Sequence, residues 1–225
     1  MKAVQSSAAE MGLVGGRLCL DFVNTVDGRK RESSRSHSAE SVLGDKLAGY
    51  SDLVEWGRHS GIVTATEAER LIQAGKRNAR EAKDVFDRAL ALREALYRTF
   101  KATMKSRRPQ SDDVETVNAE LLQSRTHERL TYQANGFTWG WIVSDAALDR
   151  MLWSIAQSAA ELLTTGDFSR LRECGGDNCG WLFEDISRNR SRQWCDMQVC
   201  GNLAKVRRYR TRARSDNKSK LKVAS

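Results

Sequence analysis

Apolar residues along this chain recur mostly at helical spacing, and capping and turn residues punctuate the stretches between them. The run Leu18-Cys-Leu-Asp-Phe-Val-Asn-Thr25 is apolar enough to be buried, and periodicity alone leaves helix and strand both open for it. Residues 1–16 before it read as a flexible N-terminus, and the polar, serine-rich stretch from Gly28 to Ser41 reads as a loop. Ser51 is placed to cap a short helix through Trp56 and Arg58, stopped by Gly61. Thr64 and Glu67 have the spacing of a capping box, in which each side chain satisfies a backbone N–H at a helix start. Helical pattern then runs to about Lys105, with a break near Gly75 to Asn78, and puts Val85, Phe86, Ala89, Leu92, Leu96 and Phe100 on one face. Pro109 ends that region, and Ser111 is placed to cap a helix carrying Val114, Val117, Leu121 and Leu122.

The period then changes. Leu130, Tyr132, Phe137, Trp139, Trp141 and Val143 alternate around Asn135-Gly136, a two-residue hairpin signal. Trp139 and Trp141 are expected to pack one face of this hairpin on the core. Ser144 is placed to cap a last long helix from about Ala146 to Thr164, with Leu148, Leu152, Ile155, Ala159 and Leu162 inward and Gly166 at its end. The pattern predicts a mainly α fold: a helical N-terminal domain over 17–167 with one small β-hairpin, then a small four-cysteine module over 168–214 and a disordered basic tail over 215–225.

Charge sharpens that division. The chain carries a net +8, and the segment from Phe168 to Ser225 holds 14 Lys/Arg against 6 Asp/Glu. The preceding residues are neutral overall, so the excess belongs to the cysteine-bearing segment and points to a polyanionic partner for it. Met1-Lys2 is followed by a polar stretch without a secretory pattern, and no window approaches the ~18 consecutive apolar residues of a membrane span. The expected location is therefore a reducing cytoplasm, with no membrane partner, where closely spaced cysteines serve as metal ligands more often than as disulfides.

Cys174, Cys179, Cys195 and Cys200 form a C-x4-C-x15-C-x4-C array, two close pairs that can each clamp one edge of a tetrahedral ion. One structural Zn²⁺ is the leading reading, with an iron–sulfur cluster and unligated or redox thiols as the alternatives. Four thiolates leave no open position for water, which makes such a zinc structural rather than catalytic. Cys19, alone between leucines, reads as a small buried residue. Beyond the last ligand, Asn202 is placed as N-cap of a helix free of glycine and proline to Arg214. That helix would present Lys205, Arg207, Arg208, Arg210, Arg212 and Arg214 around most of its girth, and Arg188, Arg190 and Arg192 add charge in the spacer. Double-stranded DNA is the expected partner of these residues. RNA, gripped by a zinc knuckle with an arginine-rich arm, and an acidic protein surface are the competing readings.

The segments Cys179-Gly-Trp-Leu-Phe-Glu-Asp, Ser187-Arg-Asn-Arg-Ser-Arg-Gln-Trp-Cys195 and Cys200-Gly-Asn, with Ala204-Lys-Val-Arg-Arg-Tyr-Arg behind them, resemble the CGNR-type zinc finger of bacterial transcription regulators. The run Leu18-Cys-Leu-Asp-Phe-Val-Asn-Thr resembles the ABATE-type domain that accompanies that finger, so the likeness covers nearly the whole chain. It implies four zinc ligands at the cysteines named above and a DNA-binding role in a cytoplasmic regulator of stress or metabolic genes. One departure stands out: Leu203 occupies the position of the arginine in the Cys-Gly-Asn-Arg signature.

The helical domain is larger than support for a finger requires, and is expected to sense a small-molecule effector or to mediate a homodimer. Asp21, Asn24, Thr25 and Arg29 offer polar chemistry beside an apolar run. The leading reading for them is structural, Asn24 and Thr25 capping a helix and Asp21 pairing with an arginine, and an effector site is the second. No enzyme is expected, since His37, His59 and His127 are dispersed and neither a phosphate-binding glycine loop nor a serine elbow occurs in the chain.

Overall fold

The computed structural model describes residues 8–29, 44–142 and 147–211. Its elements are helices α1 (Leu18–Val23), α2 (Tyr50–His59), α3 (Ala65–Arg77), α4 (Ala79–Met104) and α5 (Ser111–Thr126), strands β1 (Glu128–Gln133) and β2 (Gly136–Trp141), and helix α6 (Arg150–Thr165). Strands β3 (Leu171–Glu173) and β4 (Leu182–Glu184) follow, and a π-type turn at Met197–Gly201 leads into helix α7 over 202–211. The architecture is thus mainly α with a small hairpin and a C-terminal four-cysteine cluster, as the pattern predicts.

Helix α4, 26 residues long, is the spine against which α1, α2, α3 and α5 pack. The apolar run left open between helix and strand forms α1, which lies against α4, α6 and β4 and buries Cys19, Leu20, Phe22 and Val23. Phe22 meets Trp56 at 5.3 Å between ring centroids in the middle of the core. Cys19 is fully buried there, and burial pushes its thiol up to about 12.

The capping box of α3 forms as read. The Glu67 amide donates to Thr64 Oγ1 at 3.3 Å, and the Thr64 amide donates to Glu67 Oε2 at 2.8 Å. The Thr64 amide, with help from Arg150, holds the Glu67 carboxyl down from 4.5 to about 2. Because the folded value lies below the ordinary one, this contribution to stability stands in full above pH 4.5 and is lost as pH falls toward 2. Thr64→Ala should cost about 1 kcal/mol at neutral pH, read as a shift of the urea midpoint at constant m-value.

Several boundaries differ from the pattern. Helix α2 starts at Tyr50 with Gly49 as its N-cap rather than at Ser51, because the Tyr50 hydroxyl donates to Leu148 O at 2.9 Å and its ring is packed inward. A Cβ on Gly75 would lie 2.7 Å from that ring, which explains the glycine just before the break at Asn78. Ser111 is the first residue of α5, not its cap. Of the expected apolar face of α5, Val117 is buried while Val114 and Leu122 are exposed. Charge holds this helix instead, through Arg98–Asp113 at 2.5 Å and Arg88–Glu120 at 2.7 Å.

The hairpin turn is Ala134-Asn135, one residue earlier than expected, with Gly136 (φ +121°) paired to Gln133 in the first rung. Only its base rests on the body, where His127 stacks on Trp153 at 3.9 Å and Trp141 lies 5.7 Å from the same indole. Trp139 is 60% exposed and is not packed on the core. Helix α6 starts at Arg150 and buries Leu148, Leu152, Ile155, Ala159 and Leu162 beside or along it. The expected cap Ser144 and the residues Val143 and Ala146 lie outside the described residues, as do most of the 28–41 loop and the tail over 215–225.

The N-terminal stretch read as flexible is packed from Ala8 onward. Ala8 and Met11 are buried in the core, and His59 Nε2 meets Met11 O at 2.7 Å. Residues 1–7 lie outside the described residues.

Candidate metal centre

The short antiparallel pair β3–β4, in register Leu171↔Glu184, escapes a periodicity reading because each strand has only three residues. It puts Cys174 and Cys179 at the open end of a knuckle whose Cys174 amide donates to Trp181 O at 2.8 Å. Gly180, at φ +79°, makes the reversal that an L side chain would resist. A Cβ on Gly176 would stand 3.2 Å from Cys179 Cβ and 3.3 Å from Cys200 Sγ, so a side chain there would crowd the thiol cluster.

The spacer to the second cysteine pair folds around Asp185, a buried carboxylate. It accepts from the Ser187 amide at 2.9 Å, the Ser187 hydroxyl at 2.5 Å and the Arg192 amide at 3.0 Å. The Ser187 hydroxyl holds the Asp185 carboxyl below its ordinary value. Arg192 then clamps the return. Its guanidinium lies 4.2 Å from the Phe183 ring centroid and donates to the carbonyls of Val14 at 2.9 Å, Trp194 at 3.1 Å and Cys195 at 2.5 Å.

The four sulfurs of Cys174, Cys179, Cys195 and Cys200 lie within 4.8 Å of one another, with Cys179–Cys195 at 3.7 Å and Cys195–Cys200 at 3.6 Å. Zn–S bonds of about 2.3 Å in a tetrahedron set sulfur separations of about 3.8 Å, which these distances match. The Gly176 and Cys195 amides point at Cys174 Sγ at 3.4 and 3.3 Å, as a thiolate ligand requires. Without an ion the cluster works against itself. Thiol donors at Cys179 and Cys195 push Cys174 down, and the same hydrogen bonds to Cys174 push Cys179 up to about 12 and Cys195 upward. A divalent cation removes this conflict by compensating all four thiolates at once. The donor set and geometry fit one structural zinc ion.

Helix α7 leaves the cluster directly, since Cys200 belongs to its opening π turn. Asn202 is not its N-cap: Asp196 is, accepting from the Gln198 and Val199 amides at 2.6 and 3.3 Å. The ligand at Cys200 must sit inside the helix, so the cap falls earlier, and Asn202 donates instead to Gln198 O at 2.8 Å. Along α7, Lys205, Arg207, Arg208 and Arg210 are exposed, with Arg207 paired to Asp177. Lys205 and Arg208 border a cleft that Trp194, Met197 and Gly201 also line. Arg188 is exposed, and Arg190, at φ +50°, donates to Ser169 Oγ at 3.1 Å. Arg212 and Arg214 lie outside the described residues.

Of the candidate group in and after the first helix, Asn24 and Asp21 sit at the junction between the body and the finger, whereas Thr25 and Arg29 bond within the body. Asn24, 1% exposed, makes two bonds to one backbone unit: its Nδ2 donates to Leu182 O and its Oδ1 accepts from the Leu182 amide, each at 2.8 Å. Asp21 accepts from the Gly15 amide at 2.7 Å, and burial pushes its carboxyl up to about 6. Thr25 donates to Phe22 O at 2.8 Å and accepts from Arg93 at 3.1 Å. Arg29 is buried, donating to Val23 O and pairing with Glu94 at 2.8 Å. Trp181 and Glu184 complete the junction. Trp181 Nε1 donates to Val26 O at 3.0 Å, Glu184 pairs with Arg17 at 2.9 Å, and the Glu184 amide donates to Gly15 O at 2.8 Å. Leu171 and Leu182 extend the body's own core into the finger.

No curated protein matches the chain. Residues 170–213 match the CGNR zinc finger, which takes in all four cysteines and the described part of the basic helix. Residues 16–166, more than half of the chain, match the ABATE family, described as "Putative stress-induced transcription regulator". The protein therefore belongs to the ABATE family and carries a C-terminal CGNR zinc finger with a site for one structural zinc ion.

Proposed function

We propose that the protein is a sequence-specific regulator that binds double-stranded DNA through α7 and the finger loop, with the helical domain as its effector-sensing or dimerising part. The observation that carries this reading is the placement of Lys205, Arg208 and Arg210, exposed on a helix whose first turn contains the ligand Cys200. A metal-fixed helix with cations on several sides can sit in a groove and neutralise phosphates on both walls. Arg188 adds a cation from the spacer. Arg192, whose guanidinium is taken up by three carbonyls and Phe183, acts in this proposal as the clamp that orients the finger. In this proposal Asn24, bonded to the Leu182 backbone, and Asp21, bonded to Gly15, link the helical domain to the finger, while Thr25 and Arg29 tie the same segment to α4 through Arg93 and Glu94. No described helix is long and apolar enough to cross a membrane.

Leu203, 66% exposed, continues a stripe with Val199 and Val206 along α7. The test is a salt titration of the best duplex from a random pool, with structured RNA as competitor. Affinity should fall steeply with salt, and Leu203→Arg should steepen the log–log slope by about 0.9 by adding one phosphate contact. A salt-independent affinity, or preference for the RNA at equal ionic strength, would count against DNA as the target.

A further inference from the structure

The register of β1–β2 pairs Leu130 with Trp139 and Tyr132 with Phe137, which puts all four on one face of the ribbon. They are 57%, 60%, 74% and 75% exposed, and Ile142 just beyond β2 is exposed as well. Tyr132 and Phe137 meet edge to face at 5.2 Å, an aromatic pair built entirely in solvent. Arg129 and Thr131 alternate onto the opposite face with Thr138 and Gly140. A two-stranded hairpin is marginal in water on its own, and its apolar face needs cover.

We infer that this face is the interface through which two copies of the chain associate. The area fits: four such side chains leave on the order of 500 Å² of apolar surface per copy, and two copies would bury about 1,000 Å², the lower bound for a specific interface. The charge pattern fits as well. The charged strand residue on this face, Glu128, has a side chain 7% exposed and is already paired with Arg125 at 2.5 Å, and Leu130, Tyr132, Phe137 and Trp139 carry no charge, so a two-fold axis through them brings no unpaired like charges of the strands together. An acidic or basic partner would find nothing here to pair with. A lipid surface would favour a belt of cations around the aromatics, whereas the cation within the two strands, Arg129, lies on the far face. This inference does not depend on what α7 binds.

Sedimentation velocity of the full, zinc-loaded chain tests it, over concentrations from roughly micromolar to a hundred micromolar. The wild type should approach twice the 25.3 kDa mass of one chain. Tyr132→Lys with Trp139→Lys should return it to a single chain, raising the dimer dissociation constant roughly a hundredfold or more. Phe137→Ser, a smaller change at the hairpin end, should raise it roughly tenfold, and Thr138→Lys on the opposite face should leave it unchanged. Zinc content and far-ultraviolet dichroism confirm that each variant is folded. A wild type that stays single at every concentration overturns the inference, as does a double variant that still pairs. A single chain that pellets with phosphatidylcholine vesicles overturns it too and assigns the face to lipid.

Discussion

Cys195→Ser is expected to empty the metal site and to abolish specific duplex binding, while most of the helical signal survives. Cys195 is buried, with its sulfur 3.7 and 3.6 Å from those of Cys179 and Cys200, and a hydroxyl there is a poor substitute for a thiolate. Structural zinc contributes about 10–16 kcal/mol of apparent binding free energy in small modules, far more than Phe183 and Trp194 could supply by burial. Without it, the first turn of α7 loses the anchor at Cys200 and the cations lose their fixed arrangement. The body keeps its own core around Trp56, Phe22 and Phe100. It does not escape untouched, because Leu171 and Leu182 belong to that core and Trp181 bonds Val26. The thermal midpoint of the body should therefore fall by several degrees, as a loss of about 1–2 kcal/mol would produce. Zinc stoichiometry, duplex affinity and dichroism at rising temperature check the three parts separately. Full duplex affinity in the variant would show that the finger is not the reader.

Asn24→Ala should be the most costly single truncation at the junction, at about 2–6 kcal/mol. The figure follows from stranding two groups at once. With the amide gone, the Leu182 N–H and C=O both lose their partner, and each unsatisfied buried group costs about 1–3 kcal/mol. Urea unfolding gives the size of the loss. A chelator titration gives its reach: if the junction couples the two parts, the variant should surrender zinc at lower chelator concentration than the wild type. An unchanged chelator curve beside a lowered urea midpoint would confine Asn24 to stabilising the body.

Much of the body was legible because helices announce themselves through period and caps. Thr64 with Glu67, the apolar face from Val85 to Phe100, and the inward residues of α6 all behave as local rules require. The four cysteines were legible for the same reason, since their chemistry is carried by spacing. What the pattern missed came from distance or from ambiguity. The order of residues 8–16 is imposed by His59, Glu184 and Arg192, far away in sequence. Aromatic alternation looks the same whether the face meets a core or solvent, so Trp139 was placed wrongly while the hairpin itself was right. Helix α5 is held by Asp113 and Glu120, residues that a hydrophobic pattern counts as surface. Asp196 and Asn202 both qualify as caps, and only the demand that Cys200 face the other sulfurs chooses between them. The polar residues of α1 stood out in the sequence, but their partner, the backbone at Leu182, has no side-chain signature.

That last bond has a consequence for which changes the gene can carry. Leu182 contributes only main-chain atoms to Asn24, so this bond requires an amide at position 24, while position 182 is constrained by the packing of its fully buried side chain. Insertions and deletions face a harder limit. Only Gly180 and Trp181 separate the ligand Cys179 from the strand that docks on α1. Adding or removing one residue there would turn the docking strand over and move the ligand at the same time. A finger taken from another chain would dock on α1 only if it held the same spacing between its second ligand and this strand.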